Sequence, residues 1–338
     1  MPDINTIYVS PQEMEKCFSD ILMKYGFNEN KANQCASIFT KNSVDGVYTH
    51  GVYRFPRFVQ YIRDGFVKVD AEPALLSKFG GIEQWDGNLG PGILNAMHAT
   101  KSAVRLAKEN GIGCVTLRNT NHWMRGGTYG WQAVQEGIVF IAWTNTIGIM
   151  PAWGAIDGKL GNNPLVMAIP NHEEAIVLDM AMSQFSYGSM EKAVMNKEQL
   201  TVPGGFDKSG MLTKDPGAIL ESKRPVPIGY WKGAGLALLL DILAAILSGG
   251  LPTQEISKKE AEYGLSQVFI GIDISKLSNY KMIASVVENI LSDYHASMAI
   301  DGGSGILYPG ERVLKTRQKN QVDGIPVLKK LWDDILSL

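Results

Sequence analysis

The chain has 338 residues, of which 45% are hydrophobic and 20% charged, a balance typical of a folded globular protein rather than a disordered one. Its 32 basic and 34 acidic residues give a formal charge of −2, which does not indicate binding to nucleic acid or an anionic membrane. The three cysteines form no CxxC pair, which argues against a disulfide framework or a thiolate zinc site and favours a reducing, cytoplasmic location. The N-terminal segment lacks the basic and apolar regions of a secretory signal.

The first seventy residues are predicted to be helical. A capping-box pattern over residues 10–13 begins a first helix, and Asn28 is placed to cap a second. This second helix is expected to end near Asp45, and a third to follow His50 and end near residue 65.

Strands and helices alternate over roughly residues 75–275, which predicts a mixed α/β domain. The predicted elements are the strands CVTLR at 114–118, IVFIAWTN at 138–145, LVMAIP at 165–170 and AIVLDMA at 175–181, and the helix TYGWQAVQEG at 128–137. Beyond them, KMIASVVENILSDY and GIPVLKKLWDDILSL are amphipathic and predict helices. We therefore expect residues 1–74 and 276–338 to pack together as one helical lobe.

The most apolar stretch is GAGLALLLDILAAILSGG at 233–250. It carries Asp241 in its middle and is shorter than the ~20 residues of a membrane helix. We therefore expect it to form a buried helix of the protein core and not a membrane span.

Common cofactor and metal motifs are not found in the sequence. GIGCVT at 111–116 follows a predicted helix and opens a strand, the reverse of the context that a dinucleotide fingerprint requires. Neither a P-loop nor a nucleophile elbow is present, and the five histidines include no pair at metal-binding spacing. No metal is therefore expected.

The stretch THGVYR at 49–54 places a histidine and an arginine four residues apart. If the chain is helical here, His50 and Arg54 lie on one face, one turn apart. A guanidinium binds a carboxylate through two hydrogen bonds, and a neighbouring imidazole can donate or accept a proton. Alternatively, His50 caps a helix while Arg54 pairs with a surface carboxylate, and the spacing does not separate these two interpretations.

Polar side chains also follow two of the predicted strands. Asn121 and His122 lie between a strand and a helix, which is typical of a ligand site in an α/β sheet. The alternative is a turn in which both side chains satisfy backbone groups. Thr144 ends the next predicted strand, which is a weaker signal.

Three further positions have both a functional and a structural interpretation. Asp179 ends a buried strand and suits a catalytic or ribose-binding carboxylate, although an aspartate beside a turn is commonly structural. Lys232 precedes the apolar helix, where a lysine can meet an anionic ligand near the helix N-terminus. Arg312, in YPGER at 308–312, can bind a phosphate or belong to a plain turn.

Stretches distributed over the whole chain resemble one family. They include SVDGVYTHGVYRFPRF, GIEQWD, GIGCVTLRNTNHWMRGGTYGWQA, WTNTIGIMPAWGA, LDMAMSQFSYG and PIGYWKGAGLALLLD. The chain resembles the malate/L-lactate dehydrogenase family of nicotinamide-dependent oxidoreductases, whose fold is not Rossmann. Its NHWMRGG and GYWKG forms are most similar to a sugar-acid reductase of that family. Two stretches depart from the resembled patterns: GNNP at 161–164, expected to preserve a polar turn, and PGER at 309–312.

The resemblance implies a central mixed-sheet α/β domain, residues 75–275, flanked by a helical lobe built from both terminal segments. It also implies a homodimer and makes His50 the proton donor. The cofactor contacts that it implies are Ala175, Ile176, Val177, Leu178, Asp179, Met180, Ala181, Trp231, Lys232, Gly310, Glu311 and Arg312.

The remaining site residues are predicted from their chemistry beside His50. Arg54 is expected to hold the substrate carboxylate, Asn121 and His122 to bind the carbonyl or hydroxyls, and Lys232 to add positive potential. Thr144 is included as a further substrate contact.

The implied reaction is hydride transfer from NADH to the C2 carbonyl of a small sugar acid, while His50 protonates the developing alkoxide. NADPH is possible, because Arg312 can favour a 2′-phosphate. Reduction of another 2-oxo acid or of a cyclic imino acid is the alternative within the same chemistry. A non-catalytic sugar-acid binding protein is the alternative from another class, and it is disfavoured because His50, Arg54 and Lys232 are all present.

Overall fold

In the computed structural model, which describes residues 5–171, 174–300 and 305–338, the largest element is a seven-stranded sheet. The strands are β1 (Thr6–Val9), β2 (Ala74–Phe79), β3 (Ile82–Asp86), β4 (Ile112–Thr120), β5 (Ile138–Thr144), β6 (Gly148–Pro151), β7 (Gly158–Gly161), β8 (Leu165–Asn171), β9 (Glu174–Met180), β10 (Gly205–Phe206), β11 (Leu212–Thr213), β12 (Leu265–Asp273) and β13 (Ile325–Leu328). Two predictions concern residues outside this description. They are the non-secretory N-terminus, which begins at residues 1–4, and His172, one of the five histidines.

Helices cover the sheet and form the ends of the chain. They are α1 (Pro11–Lys24), α2 (Glu29–Val44), α3 (Phe55–Arg63), α4 (Gly92–Asn110), α5 (Gly127–Val134), α6 (Tyr187–Met195), α7 (Pro216–Ser222), α8 (Trp231–Ser248), α9 (Thr253–Ile256), α10 (Tyr280–His295), α11 (Glu311–Asp323) and α12 (Lys329–Leu336). Short 3-10 turns span Tyr48–His50 and Ile274–Lys276.

The central sheet has the strand order β2-β3-β4-β12-β5-β8-β9. It is mixed, because β3 and β4 run parallel whereas the other neighbours pair antiparallel. The predicted mixed α/β architecture is therefore confirmed. β12 lies at the centre of the sheet, between β4 and β5, although no strand was predicted there, and β9 forms one edge.

The two predicted N-terminal caps are present. Ser10 Oγ accepts a hydrogen bond from Glu13 N at 3.2 Å, and Asn28 Oδ1 accepts one from Lys31 N at 2.9 Å. These side chains satisfy backbone donors that the first turn of a helix leaves free. The bounds predicted for α1 and α2 from the capping residues are confirmed.

The two ends of the chain meet in one hydrophobic cluster. β1 pairs antiparallel with β13, and Trp332 packs at 6.4 Å from Phe18 between ring centroids. The segment that starts at Gly324 was predicted to be helical throughout, which is wrong for its first residues, because they form β13. No residue of α10 is buried, so this helix does not enter the cluster. The domain boundaries at 74/75 and 275/276 stay predictions.

α8 packs on the sheet through one face only. Asp241 accepts hydrogen bonds from Asn145 Nδ2 at 2.9 Å and from Thr253 N at 2.8 Å, which anchor the middle of the helix. On the outer face Leu239 is 56% exposed and Ile246 is 65% exposed. The prediction of a buried core helix was therefore wrong for this face. Apolar side chains surround the whole helix, but the sheet covers only one side of it.

α8 also bears on the question of membrane insertion. Among the described residues, it is the one helix long and apolar enough to cross a membrane by length and composition alone. Its contacts with the sheet and the hydrogen bonds of Asp241 are those of a helix packed on a globular domain.

Candidate active site

His50 ends a 3-10 turn and is not part of an α-helix. Gly51 leaves the helical region, with φ −115° and ψ −121°, and Arg54 is the N-cap of α3. The helical geometry assumed for His50 and Arg54 was therefore wrong. Burial, and then the nearby charges of Arg54 and Arg125, lower the pKa of His50 to about 4. The imidazole is neutral at pH 7 in this state.

The end of α2 holds the His50 turn in place. A Cβ on Gly51 would lie 2.2 Å from Ser43 Oγ, so the turn packs against α2 at a distance that only glycine allows. Asn42 Nδ2 donates to the carbonyl oxygen of His50 at 2.9 Å, and Asn42 Oδ1 accepts from Thr128 Oγ1 at 2.6 Å. Asn42 thereby connects the His50 turn to α5.

His122 lies opposite His50. The two rings are stacked, with centroids 5.7 Å apart and planes 16° from parallel. His122 Nδ1 accepts a hydrogen bond from Met124 N at 2.9 Å, so the neutral ring carries its proton on Nε2. Burial first, and then the charges of Arg54, His50 and Arg57, lower the pKa of His122 well below its ordinary value. His122 is therefore a neutral hydrogen-bond donor.

The amide nitrogen of Asn121 has three hydrogen-bond acceptors, whereas its amide oxygen has no donor among the described residues. Its Nδ2 lies 3.0 Å from Phe66 O, 2.9 Å from Leu89 O and 3.0 Å from Gly90 O, which fixes the orientation of the amide. The residue is 2% exposed, and its Oδ1 is buried without a hydrogen-bond partner among the described residues. Asn121 thus both shapes the loop and offers an unpaired acceptor.

A buried network of charges joins the His50 turn to the loop that carries His122. Asp45, at the end of α2, binds Arg125 in an ion pair and Arg317 through hydrogen bonds of 2.7 and 3.0 Å. Arg125 Nε lies 3.8 Å from Asp179 Oδ2, which accepts a hydrogen bond of 2.7 Å from Gly127 N. Asp179 therefore accepts a hydrogen bond from the first residue of α5, which is a structural role.

Sequence patterns did not identify this network. Arg125 lies within the quoted motif NHWMRGG, but nothing in its neighbourhood indicates a partner 80 positions earlier in the chain. Arg317 lies on α11, without a motif around it. Burial raises the pKa of Asp179, while Arg125 and the hydrogen bond from Gly127 act in the opposite direction.

The structure brings two of the predicted cofactor stretches together. Val177 N donates to Pro309 O at 2.9 Å, so the loop that contains Gly310 lies on the open edge of β9. Gly310 has φ +102°, and a Cβ there would lie 3.1 Å from Val177 N and 3.2 Å from Ala175 O. Because backbone groups alternate between the two sides of a strand, Asp179 N also faces this open edge.

The third stretch lies beyond the other end of β9. Ile228 N donates to Met182 O at 2.7 Å, which fixes the segment leading to Trp231 and Lys232 beside the chain that leaves β9. Trp231 is 64% exposed, and Lys232 Nζ lies 5.9 Å from the centroid of its ring. The three predicted cofactor stretches are therefore arranged along one edge strand.

The stretch PGER gives its two charged residues different surroundings. Glu311 contacts Lys315 Nζ at 2.8 Å and His295 Nε2 at 3.0 Å, so both of its oxygens have basic partners. Arg312 is exposed and has no ion pair within the described ranges. A ligand at this loop therefore meets Arg312 more readily than the carboxylate of Glu311.

Thr144 has a structural contact in this chain. Its hydroxyl lies 3.0 Å from Asn145 O and 3.3 Å from Ser266 O, and the residue is buried. Its predicted contact with substrate stays a prediction. In the GNNP stretch, Asn162 Oδ1 accepts from Thr146 Oγ1 at 3.0 Å, so a polar turn is present there.

Two residues that sequence patterns did not single out lie beside His122. Arg57 and Tyr61, both on α3, line the same small cleft as Arg54, Asn121 and His122. The available signal was the second arginine of RFPRF, at 54–58, which lies one helical turn after the first.

The site as a whole has two parts. A neutral histidine pair beside an arginine suits an anionic substrate with a carbonyl group. An exposed edge strand, covered at one end by a glycine loop, suits a long, polar cofactor. The two parts together are those of an enzyme that brings an anionic carbonyl substrate to a bound cofactor.

Comparison with known proteins identifies the family. The family model for malate/L-lactate dehydrogenase matches residues 9–336. The 2,3-diketo-L-gulonate reductase of Escherichia coli O139:H28 is 41% identical over 331 residues, which cover 98% of this chain and 99% of the relative. The chain belongs to the malate/L-lactate dehydrogenase family of oxidoreductases, which implies a nicotinamide cofactor.

Solved structures agree with this assignment. The malate dehydrogenase of Entamoeba histolytica superposes with a TM-score of 0.91 at 26% identity, covering 98% of this chain and 97% of that one. The sulfolactate dehydrogenase of Methanocaldococcus jannaschii gives a TM-score of 0.90 at 27% identity and covers 98% of both chains. The family and the fold predicted from sequence are confirmed.

Proposed function

We propose that the protein is an NADH-dependent 2,3-diketo-L-gulonate reductase, which reduces the C2 carbonyl and releases 3-dehydro-L-gulonate. The observation that carries this proposal is the stacked pair of His50 and His122 beside Arg54. The specific substrate is supported by the 41% identity, along nearly the whole chain, to a reductase of that name.

Binding places the substrate between Arg54 and the histidines. The guanidinium of Arg54 is half-buried, where its two hydrogen bonds to the C1 carboxylate are stronger than in open water. His122 donates Nε2–H to the C2 carbonyl oxygen, on which negative charge develops during reduction. A reduced nicotinamide, when bound, supplies the hydride that forms the new C–H bond at C2.

His50 completes the reaction by protonating the C2 oxygen. The pKa of His50 is about 4 because of burial and the charges of Arg54 and Arg125. A substrate carboxylate on Arg54 offsets part of that positive charge and therefore favours the protonated ring. In the direction of oxidation, the neutral His50 accepts the hydroxyl proton.

The cofactor would lie along β9 and the segments at its two ends. Gly310 lets its loop pack closely on β9, because a Cβ there would lie 3.1 Å from Val177 N. Main-chain groups between Ala175 and Ala181 that face away from β8, other than Val177 N, would hydrogen-bond the dinucleotide. Trp231, Lys232 and Arg312 are exposed near this strand. The unpaired Arg312 makes NADPH the alternative cofactor, since a 2′-phosphate adds negative charge for it to bind.

We also infer a cytoplasmic homodimer without nucleic-acid or membrane partners. The outer face of α8 exposes Leu239 and Ile246, and α10 exposes Ile290 at 61%. Exposed apolar surfaces on a helix face often mark a protein interface. A second copy of the chain would cover the same face on its partner, as closed symmetric dimers do.

The test is a spectrophotometric screen of cofactor oxidation with 2,3-diketo-L-gulonate, pyruvate, oxaloacetate and a cyclic imino acid, each with NADH and NADPH. We expect the highest kcat/KM with diketogulonate and NADH. A higher value with another acid would favour the alternative substrate class. No oxidation with any of them would reject the proposed function.

A further inference from the structure

Arg57 brings a second guanidinium to the candidate active site. It lies three residues after Arg54, on the first turn of α3, and both line the cleft beside His122. Both also act on the His122 ring through their charge. The substrate carboxylate assigned to Arg54 leaves Arg57 without a function in the reaction.

The guanidinium of Arg57 is available to a ligand. Its Nη2 donates to Tyr61 Oη at 3.1 Å, and Cζ lies 5.4 Å from the centroid of the Tyr61 ring. No carboxylate lies within ion-pair distance of it in the described part of the chain. Most of its five N–H donors are therefore free. Tyr61 Oη accepts from Arg57, so its own proton remains available for donation.

Aromatic contacts hold Tyr61 in position. Its ring packs edge-on against Phe66, with centroids 5.5 Å apart, and Phe66 stacks on Tyr263 at 4.9 Å. These contacts link α3 to the segment between α9 and β12. The hydroxyl of Tyr61 is therefore presented from a fixed ring rather than from a mobile one.

Asn121, which also lines this cleft, has an acceptor without a donor among the described residues. Asn121 Oδ1 is buried and unpaired among the described residues, while the rest of its amide is held by three carbonyls. A buried acceptor left without a donor costs free energy, and a carboxylate cannot supply the missing proton. A hydroxyl can donate to Asn121 and accept from Arg57 at the same time.

We propose that Arg57 and Tyr61, with Asn121 Oδ1, form a subsite for the hydroxylated tail of a 2-oxo acid. Arg57 is then the residue that distinguishes a polyhydroxylated acid from a short or apolar one. This inference rests on the proposed function, because it places the carboxylate of the same molecule on Arg54. It adds a contact that determines specificity at the end of the substrate remote from the reacting carbonyl.

The experiment compares kcat/KM for 2,3-diketo-L-gulonate with kcat/KM for pyruvate, using one cofactor throughout. Arg57→Met is expected to lower the ratio of the two values by roughly ten- to a hundredfold, the effect of removing charged hydrogen bonds. Tyr61→Phe should lower it less. Arg63→Met is the matched control, because Arg63 is exposed on α3 and lies over Tyr25 instead, and it should keep the parent ratio.

The subsite is overturned if Arg57→Met lowers both kcat/KM values equally or leaves their ratio unchanged. It is also overturned if the parent enzyme does not prefer diketogulonate to pyruvate, an outcome that still leaves a 2-oxo acid reductase. If the parent reduces neither acid, the proposed function fails. Calorimetric titration with L-gulonate and L-lactate then tests the subsite independently of turnover. The subsite requires that the parent protein binds gulonate more tightly than lactate, and that Arg57→Met removes this difference.

Discussion

Asp45 binds Arg125 in a buried ion pair, and this contact connects the two segments that carry the stacked histidines. Asp45 lies five residues before His50, and Arg125 lies three residues after His122. Because the same carboxylate also binds Arg317, three distant parts of the chain meet at one side chain. The distance between the His50 and His122 rings therefore depends on an ion pair in which neither histidine takes part.

Asp45→Asn should destabilise the protein by about 3–5 kcal/mol, because it removes the nearest anion of the buried Arg125 and the partner of the partly exposed Arg317. Urea unfolding at one protein concentration measures the loss. Asp20→Asn is the control, since Asp20 pairs with Lys16 at 2.7 Å on an exposed face and should barely change the unfolding midpoint. Equal midpoints for the two variants would contradict a structural role for the Asp45 network.

The kcat/KM for reduction and the kcat/KM for oxidation should depend differently on pH. Reduction requires a protonated His50, whose pKa in the free enzyme is about 4. Its kcat/KM should therefore fall by about tenfold per pH unit between roughly pH 5 and 8. Oxidation requires the neutral ring, so its kcat/KM should stay level over this range and fall only at lower pH.

Initial rates in both directions, with corrections for cofactor decay in acid, give these profiles. His50→Ala should reduce turnover on the order of a hundredfold or more and remove the slope, while cofactor binding is retained. Near-normal turnover in this variant would reject His50 as the proton donor. A level profile for reduction would mean that protonation of His50 does not limit kcat/KM.

Gly310→Ala should raise KM for the cofactor by roughly tenfold, because its Cβ would push the 308–312 loop away from β9. Gly305→Ala is a closely matched control. It imposes a similar left-handed strain, at φ +86°, but a Cβ there meets none of the described residues within 4 Å. A similar KM change in both variants would attribute the effect to backbone strain and not to contact with β9.

Leu239→Glu should convert the proposed dimer into a monomer, because it places a charge on the exposed apolar face of α8. Light scattering after size-exclusion chromatography reports the mass directly. Val322→Glu, at an exposed position on α11, should keep the parent mass. A parent protein that is already monomeric would reject the dimer and leave the exposed face of α8 unexplained.

Features set by neighbouring residues were predictable from sequence. Ser10 and Asn28 cap their helices through contacts three residues away, and their patterns are visible in any short window. The strands β4, β5, β8 and β9 were likewise recognisable from continuous apolar segments between turns. Residue spacing singled out His50 but left two interpretations open, and resemblance to the family then assigned it as the proton donor and named the cofactor stretches.

Features set by distant residues were not predictable. β13 was taken for part of a helix because the apolar pattern of α12 continues back into it, whereas its partner β1 lies more than 300 positions earlier. The link between Arg317 and Asp45 spans 272 positions. The outer face of α8 was misjudged because hydrophobicity indicates that a surface must be covered but not which molecule covers it.

The pairing of β1 with β13 has a consequence for biosynthesis. Residues 6–9 leave the ribosome more than 300 residues before their strand partner, residues 325–328. Arg317, which binds Asp45, is synthesised 272 residues after it. The segment that carries His50 must therefore wait for these later residues before its contacts are complete, and chaperones that bind nascent chains would meet it before then.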